Sequence, residues 1–210
     1  MVIKKLIFDL DNTIIEWIPE YVEALKETLN EYKIDIDYKK IDNITEMQEK
    51  IHDTLSREQL LSDINNGCNL NLNIDFINTL IEKQKKLTPY NDEKLKKLFE
   101  YLSSKYEIVL LTNWFKECQI GRLKNLGVYK YFKAFYCGDE MLVKPNKEAF
   151  IKAIGKCKPN ECIMIGDNKK IDIDGALKLG INAIMITKEN INTDNKFKII
   201  KNIYELKEML

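Results

Sequence analysis

The stretch KKLIFDLDNTII, residues 4 to 15, decides how the rest of the chain is interpreted. Its apolar run is typical of a buried β-strand, and the run ends in two aspartates, Asp9 and Asp11, separated by one residue. Asn12 and Thr13 follow, and apolar residues then resume. Two like charges at the mouth of a core strand need a physical reason, because charged groups are rarely buried without a partner.

The composition is that of an ordinary globular chain. It has 210 residues, of which 45% are hydrophobic and 31% charged, and its 33 basic residues balance its 33 acidic ones. The zero net charge gives no indication of a face for nucleic acid or an anionic membrane. No apolar run approaches the roughly 20 residues that span a bilayer, and the start MVIKKLIFDLD is expected to be a first strand and not a signal peptide. Five scattered cysteines favour a reduced, cytoplasmic protein.

Apolar runs recur along the chain with helical patterns between them. Most runs are apolar at successive positions, which is typical of strands covered on both faces of a parallel sheet. The alternation predicts right-handed crossovers and an α/β fold with a doubly wound parallel sheet. The predicted strands are KLIFDL (5–10), EIVLLTN (107–113), KAFYCGD (133–139), ECIMIGD (161–167) and NAIMIT (182–187). The helices among them are predicted over 92–105, 116–127, 146–156 and 174–180.

One interval breaks the alternation of strands and helices. From Trp17 to about Thr88 the sequence has helical patterns and no convincing strand. We therefore expect an all-helical insert over 17–88, directly after the first strand, and a core formed by residues 1–16 and 89–210. The C-terminal stretch FKIIKNIYELKEML predicts a last short strand and a closing helix.

Polar residues stand at the carboxyl ends of three predicted strands. Asp9 and Asp11 follow the first, Thr112 and Asn113 end the second, and Asp167 ends the fourth. Ligands of open α/β sheets bind outside such ends, so we expect these residues to meet. Three carboxylates in one crevice repel one another unless a cation lies among them. Their oxygen atoms favour a hard divalent ion, which predicts Mg2+ bound by the three aspartates.

The carboxylates then have roles in phosphoryl transfer. Asp9 can attack phosphorus and form an aspartyl-phosphate, which divides the transfer into two steps. Asp11 can protonate the leaving alkoxide and then accept a proton from the hydrolytic water. Thr112 and Asn113 can donate hydrogen bonds to the phosphoryl oxygens.

Three further residues are expected to support this chemistry. Lys144, which precedes Pro145, can offset negative charge on the phosphoryl oxygens as the transition state forms. Asp172 can hold a metal-bound water or orient Lys144, and it can also cap a helix, which is the preferred interpretation of Asp174. Thr13, beside the aspartate pair, is expected to support the site.

Four segments of the chain resemble the ordered motifs of the haloacid dehalogenase superfamily. They are DLDNT (9–13), LLTN (110–113), Lys144 within VKPNKEAF, and IGDNKKIDIDGA (165–176). Their order and spacing match across essentially the whole chain. The helical insert is similar to the cap of the helical-cap phosphatase branch of that superfamily.

The resemblance implies a Rossmann-like core and Mg2+-dependent phosphoryl transfer through Asp9. It also implies that the main-chain carbonyl of Asp11, rather than its carboxylate, helps to bind the metal. The chain departs from the family pattern at Asn12 and Trp114, where many members have glycine. Asparagine accepts unusual backbone angles, whereas the ring of Trp114 either shapes the substrate pocket or packs under the cap.

These observations together predict a Mg2+-dependent phosphatase of a small phosphomonoester. Sugar phosphates, phosphoglycolate and nucleoside monophosphates all stay open as substrates, with neither nucleic acid nor membrane as a partner. We expect a monomer or a weak homodimer. Trp17, Tyr21 and Trp114 are interpreted as core or interface aromatics in preference to substrate contacts.

Two alternatives keep the same fold. A 2-haloacid dehalogenase needs a nucleophile but neither a metal nor a second aspartate, so Asp11 and Asp167 count against it. A non-catalytic binding or regulatory protein would be expected to lose part of the set formed by Asp9, Asp11, Lys144 and Asp167.

Overall fold

A parallel β-sheet forms the centre of the computed structural model, which describes residues 2–17, 19–87, 93–189, 191, 193 and 196–210. Six strands within these ranges lie in the order β3-β2-β1-β4-β5-β6, and every neighbouring pair is parallel. This confirms the predicted α/β class and the doubly wound, Rossmann-like sheet. The strands are β1 (Lys5–Phe8), β2 (Glu107–Thr112), β3 (Ala134–Cys137), β4 (Cys162–Gly166), β5 (Asn182–Ile186) and β6 (Lys198–Ile200).

Both faces of the sheet are covered, because successive side chains of a strand point to opposite sides. Leu6 and Phe8 of β1 are buried in one apolar cluster, and Ile7 between them is buried in another. The first cluster includes residues of α5 (Glu93–Lys105), and the second includes residues of α7 (Lys147–Ile154). This two-sided burial explains why the strands are apolar at successive positions.

The helices of the sheet region broadly follow the predicted periodicity. α6 (Lys116–Leu126) ends at Gly127, whose φ of 79° is a left-handed conformation that glycine adopts without strain. The helix predicted over 174–180 begins earlier, because a π-helical turn (Lys169–Ile173) leads directly into α8 (Asp174–Leu177). The closing strand and helix are also present, as β6 and α9 (Leu206–Met209).

The segment between β1 and α5 is helical and contains no strand in its described residues, 19–87. Its helices bury an apolar cluster that includes Leu25 and Phe76, and Trp114 and Phe115 of the sheet region belong to the same cluster. The predicted limit of the insert at 88/89 lies outside the described residues, so the division into core and cap stays a prediction. The inserted helices are α1 (Glu20–Glu31), α2 (Tyr38–Ile51), α3 (Arg57–Cys68) and α4 (Ile74–Lys86). Across the described ranges, every helix is too short or too polar to cross a bilayer.

β1 ends earlier than its apolar pattern predicted. The strand stops at Phe8 rather than Leu10, although the N–H of Asp9 still donates to Ile165 of β4 at 2.9 Å. The chain then turns, because the carbonyl of Leu10 accepts hydrogen bonds from the N–H groups of Ile14 and Ile15. Asp11 therefore lies on a turn outside the sheet, and strand alternation does not decide where its side chain points.

Candidate active site

Three strand ends converge on one cavity beside the sheet. β1 lies between β2 and β4, so the strand order reverses there, and open α/β sheets bind ligands at such a switch point. Residues of α2, including Glu49, line the opposite side of the cavity. The predicted site residues that line it are Asp9, Asp11, Thr112, Asn113, Lys144, Asp167 and Asp172.

Asp9 is a buried carboxylate at the end of β1, with 7% of its surface exposed. Its Oδ1 accepts a hydrogen bond from Nζ of Lys144 at 2.6 Å, and its Oδ2 accepts one from the hydroxyl of Thr13 at 3.3 Å. Burial raises the pKa of Asp9 well above its usual range, Lys144 opposes this, and the neighbouring carboxylates, first Asp172, raise it further. The charge of Asp9 therefore depends on the ammonium group beside it.

Lys144 joins two buried carboxylates. Its Nζ lies 2.6 Å from Oδ1 of Asp9 and 2.6 Å from Oδ1 of Asp172. Burial alone would lower the pKa of Lys144, but Asp172 and Asp9 outweigh it and raise that pKa. The second oxygen of Asp172 accepts from the main-chain N–H of Asn168 at 3.0 Å, so both of its oxygens have partners. Gly166 permits this arrangement, because a Cβ there would collide with the Asp172 carboxylate.

Three carboxylates lie close enough together to share a metal ion. One oxygen from each of Asp9, Asp167 and Asp172 lies within 4.8 Å of the others. Burial, and then Asp172, raises the pKa of Asp167 to about 7. Hard oxygen donors that repel one another fit Mg2+, because a divalent cation would remove the repulsion. The sequence predicts Asp11 as a third metal ligand, but its carboxylate is outside this group of three.

Two residues of α6 hold the Asp11 carboxylate, and the sequence analysis did not identify them. Oδ1 accepts from Nη1 of Arg122 at 2.5 Å, and Oδ2 accepts from Nε2 of Gln119 at 2.7 Å. Gln119 and Arg122 are three positions apart and therefore share one face of the helix. Their spacing on a helix that follows the second strand is the only feature of the sequence that could have indicated Gln119 and Arg122. Asp11 and Asp9 both line the cavity, but their carboxylates have different partners.

Thr112 and Asn113 fix the end of β2. The hydroxyl of Thr112 accepts from Nε2 of Gln119 at 2.8 Å. Nδ2 of Asn113 donates to Oε2 of Glu49 and to the carbonyl of Lys144, both at 2.9 Å, and its Oδ1 accepts from the N–H of Lys144 at 2.8 Å. Burial raises the pKa of Glu49, and the hydrogen bond from Asn113 opposes this shift. Both amide hydrogens of Asn113 are engaged, so a new acceptor would have to replace Glu49 or the carbonyl of Lys144.

Asn12 and Thr13 form the turn beside the aspartate pair. Asn12 has a φ of 58°, a left-handed conformation that asparagine tolerates better than most residues, and its side chain accepts from the N–H of Trp17 at 3.1 Å. The buried hydroxyl of Thr13 lies 3.5 Å from Oδ1 of Asp167 as well as near Asp9. This hydroxyl therefore connects the ends of β1 and β4.

Trp114 packs under the inserted helices. It is 5% exposed, and its Nε1 donates to Oε1 of Gln84 on α4 at 2.8 Å. Its ring centroid lies 5.0 Å from that of Trp17 and 6.0 Å from that of Tyr21, both in edge-on arrangements. Tyr21 is fully buried, whereas Trp17 and Trp114 also line the cavity.

The sequence model of the haloacid dehalogenase-like hydrolases matches residues 6–186. The chain belongs to this family. The solved structure of the HAD-hydrolase YfnB from Bacillus subtilis, bound to magnesium, has a TM-score of 0.81 and 19% identity over 100% of this chain and 99% of that one. A 2-haloacid dehalogenase from Pseudomonas syringae has a TM-score of 0.73 and 20% identity over 99% of this chain and 97% of that one. At these identities the likeness shows the fold alone.

Two relatives of this hydrolase by sequence carry phosphatase names. The match to glyceraldehyde 3-phosphate phosphatase of Methanothermobacter thermautotrophicus is 28% identical over 124 residues, which are 54% of this chain and 55% of that protein. Pyrophosphatase PpaX of Bacillus mycoides is 27% identical over 197 residues, 89% of this chain and 85% of that protein. The chain thus spans about half the length of the first relative and most of the second.

Proposed function

We propose that this hydrolase is a Mg2+-dependent phosphatase that cleaves a small phosphomonoester through an aspartyl-phosphate on Asp9. The observation that carries the proposal is the placement of Asp9, a buried carboxylate held by Lys144 in the cavity that Asp11 and Asp167 also line. Relatives named as phosphatases support the same class of reaction.

Asp9 is the nucleophile in this proposal. One of its carboxylate oxygens attacks phosphorus, so that an O–P bond forms while the bond from phosphorus to the ester oxygen breaks. The electron pair of the broken bond leaves with the ester oxygen. The contacts of Asp9 with Lys144 and Thr13 restrict its orientation, which lowers the entropic part of the barrier.

Asp11 is the acid and the base. It lies two residues from the nucleophile, lines the same cavity, and keeps 19% of its side chain exposed. In the first step it gives a proton to the leaving alkoxide. In the second it takes a proton from the water that attacks the aspartyl-phosphate, so that Asp9 is regenerated and phosphate is released.

Lys144, Thr112 and Asn113 are assigned to the phosphoryl oxygens. Two of the three N–H groups of Lys144 point to Asp9 and Asp172, which leaves one for a phosphoryl oxygen. The positive charge offsets the negative charge of the transition state. Asn113 would exchange its hydrogen bond with Glu49 for one with the substrate.

The carboxylates fit Mg2+, with Asp9 and Asp167 as direct ligands and the main-chain carbonyl of Asp11 as the family resemblance implies. Asp172 belongs to the same group of oxygens, and we assign it to orienting Lys144, from which its Oδ1 accepts a hydrogen bond. When bound, the ion supplies positive charge that stabilises the phosphoryl group and removes the repulsion among the aspartates.

The substrate is a small phosphorylated metabolite, for which sugar phosphates, phosphoglycolate and nucleoside monophosphates stay open. The inserted helices, with residues 17–88 as the proposed cap, would cover the non-phosphate part and exclude water. Six residues of this segment line the cavity and are the candidates for contact with it: Trp17, Thr45, Glu46, Gln48, Glu49 and Lys50. We also propose that the protein is cytoplasmic, which the five free cysteines support, and that it is a monomer or weak homodimer.

The geometry of this site favours a phosphatase over a haloacid dehalogenase and over a non-catalytic protein. A haloacid dehalogenase would attack carbon and would not need the close group of Asp9, Asp167 and Asp172. A non-catalytic protein would have no reason to keep a buried nucleophile with its acid and base intact. Both explain less of the geometry than a phosphatase does.

The test measures phosphate release from an activated aryl phosphate and from a panel of phosphorylated metabolites, with Mg2+ and with EDTA. Halide release from a 2-haloacid is measured in parallel. We expect phosphate release that requires Mg2+ and no halide release. Full activity in EDTA would overturn the metal assignment, and halide release without phosphate release would establish the dehalogenase.

A further inference from the structure

The proposed reaction assigns no role to the residues of α6 that contact Asp11. We propose that Arg122 and Gln119 are positioning residues that fix the Asp11 carboxylate for proton transfer. The inference rests on the proposed function, because it takes Asp11 as the acid and base.

Arg122 is fully buried, which is rare for an arginine unless its charge is paired. Its Nη1 donates to Oδ1 of Asp11 at 2.5 Å and to Oε1 of Gln119 at 2.9 Å. Its Nε and Nη2 donate to Oε2 of Glu20 on α1, at 3.3 and 3.2 Å. One guanidinium therefore connects the turn after β1, α6 and the first inserted helix.

Gln119 completes the fixation from the same face of α6. It is fully buried, and its Nε2 donates to Oδ2 of Asp11 at 2.7 Å and to the hydroxyl of Thr112 at 2.8 Å. Its Oε1 accepts from Arg122, so each end of the amide has a defined partner. Each oxygen of Asp11 thus accepts one hydrogen bond from α6, which fixes the rotation of the carboxylate plane.

The Asp11 carboxylate can still accept and donate a proton while α6 holds it. A carboxylate oxygen has two lone pairs, so one acceptor position remains on each oxygen of Asp11. Proton transfer to an alkoxide needs the donor within hydrogen-bond reach, and a displacement of about 1 Å can lower the rate by about a hundredfold. Two buried donors on a rigid helix meet this requirement better than a free side chain on a turn.

Stability alone is a poor explanation of this arrangement. A buried ion pair often gives no more stability than apolar residues of similar volume, because both charges lose their hydration. The chain contains 33 basic residues, and only Arg57 and Arg122 among them are arginines. The planar guanidinium can serve Asp11 and Glu20 at the same time, whereas an ammonium is a point charge on a flexible stem.

The experiment compares an alkyl phosphate with an activated aryl phosphate in single-turnover kinetics with Mg2+. The alkoxide needs a proton to leave, whereas the aryl oxide does not, so loss of acid catalysis lowers only the alkyl rate. We expect Arg122→Lys and Gln119→Leu each to lower the alkyl phosphorylation rate at least about tenfold, and the aryl rate by less than about threefold. Arg57→Lys is the control, because it makes the same substitution at an arginine that pairs with Glu117 of α6. Both rates of this variant should stay within about twofold of wild type.

Asp11→Asn, alone and combined with Arg122→Lys, separates positioning from structure. If Arg122 acts through Asp11, the double variant should cleave the alkyl ester no more slowly than Asp11→Asn alone. Equal losses on both esters in folded Arg122→Lys and Gln119→Leu proteins would overturn the inference, as would additive losses in the double variant. Failure of the proposed function looks different: wild type would then cleave neither ester, or Asp11→Asn would slow both equally.

Discussion

Nζ of Lys144 lies 2.6 Å from Oδ1 of Asp9, and the two side chains are only 2% and 9% exposed. Water can solvate neither charge well, so each charged group is stabilised mainly by the other. The same ammonium also holds Asp172 at 2.6 Å. Removal of the lysine would therefore leave two carboxylates without their cation in the interior, and it would affect stability and chemistry together.

Lys144→Met tests this dependence. We expect the free energy of unfolding of the metal-free protein to fall by about 3 kcal/mol, because breaking a buried pair leaves uncompensated charge. Phosphate release with Mg2+ should fall to background. Denaturant unfolding and a phosphate assay measure the two effects. Lys170→Met, at an exposed position of the π-helical turn, is the control and should change stability by less than about 0.5 kcal/mol. A Lys144→Met protein as stable as wild type would contradict the prediction.

Binding of Mg2+ should be visible without any assay of activity. At a concentration of about 100 times its Kd, the ion should stabilise the protein by about 2.7 kcal/mol, which corresponds to a rise in Tm of about 5–10 °C. Asp167→Asn should raise the Tm of the metal-free protein, since it removes one of three mutually repelling carboxylates. The variant should also lose most of the increase in Tm that Mg2+ causes in the wild type.

Calorimetry with Mg2+ and with EDTA measures both shifts. Asp174→Asn is the matched control, because Asp174 pairs with Lys169 outside the carboxylate group and should keep the wild-type response. An unchanged Mg2+ response of Asp167→Asn would show that this residue does not belong to the proposed metal site.

Asp9→Asn keeps the size of the side chain that we propose as the nucleophile and removes its charge. We expect turnover to fall to background while the protein stays folded. Acid trapping of the wild type during turnover should yield a peptide phosphorylated at Asp9, detected by mass spectrometry. Substantial turnover by a verified Asp9→Asn protein, after deamidation has been excluded, would rule out covalent catalysis at this residue.

The sheet and the meeting of strand ends were predictable because both follow from local patterns. Apolar residues at successive positions indicated two-sided burial, and the carboxyl ends of neighbouring parallel strands necessarily meet at one edge. Asp9 and Asp167 come directly after β1 and β4, which are hydrogen-bonded neighbours, so their proximity needed no knowledge of side-chain packing.

The surroundings of Asp11 were not predictable in this way. Once the chain leaves β1 at Phe8, strand periodicity no longer determines where a side chain points. The partner of Asp11 is Arg122, 111 residues away, and that pairing depends on how α6 packs against the turn. Glu49 was missed for the same reason: its contact with Asn113 joins an inserted helix to a strand end, and no local pattern encodes it.

Glu49 also allows a prediction about the substrate. Its carboxylate lines the cavity from α2 and lies 2.9 Å from Nδ2 of Asn113, at the end of β2. A leaving group with its own carboxylate, as in phosphoglycolate, would meet this negative charge. A leaving group with hydroxyls only, as in glycerol phosphate, would not be repelled.

Glu49→Gln should therefore raise the ratio of kcat/KM for phosphoglycolate to kcat/KM for glycerol phosphate. One screened unit charge in a partly buried cavity is worth about 1.4 kcal/mol, so we expect the ratio to rise about tenfold. Glu58→Gln, at an exposed position of α3 that does not line the cavity, removes the same charge and should leave the ratio unchanged. The ratio isolates charge repulsion, because any effect of Glu49 through Asn113 on phosphate binding is common to both substrates. An equal change in kcat/KM for the two esters would show that Glu49 acts on the phosphate end alone.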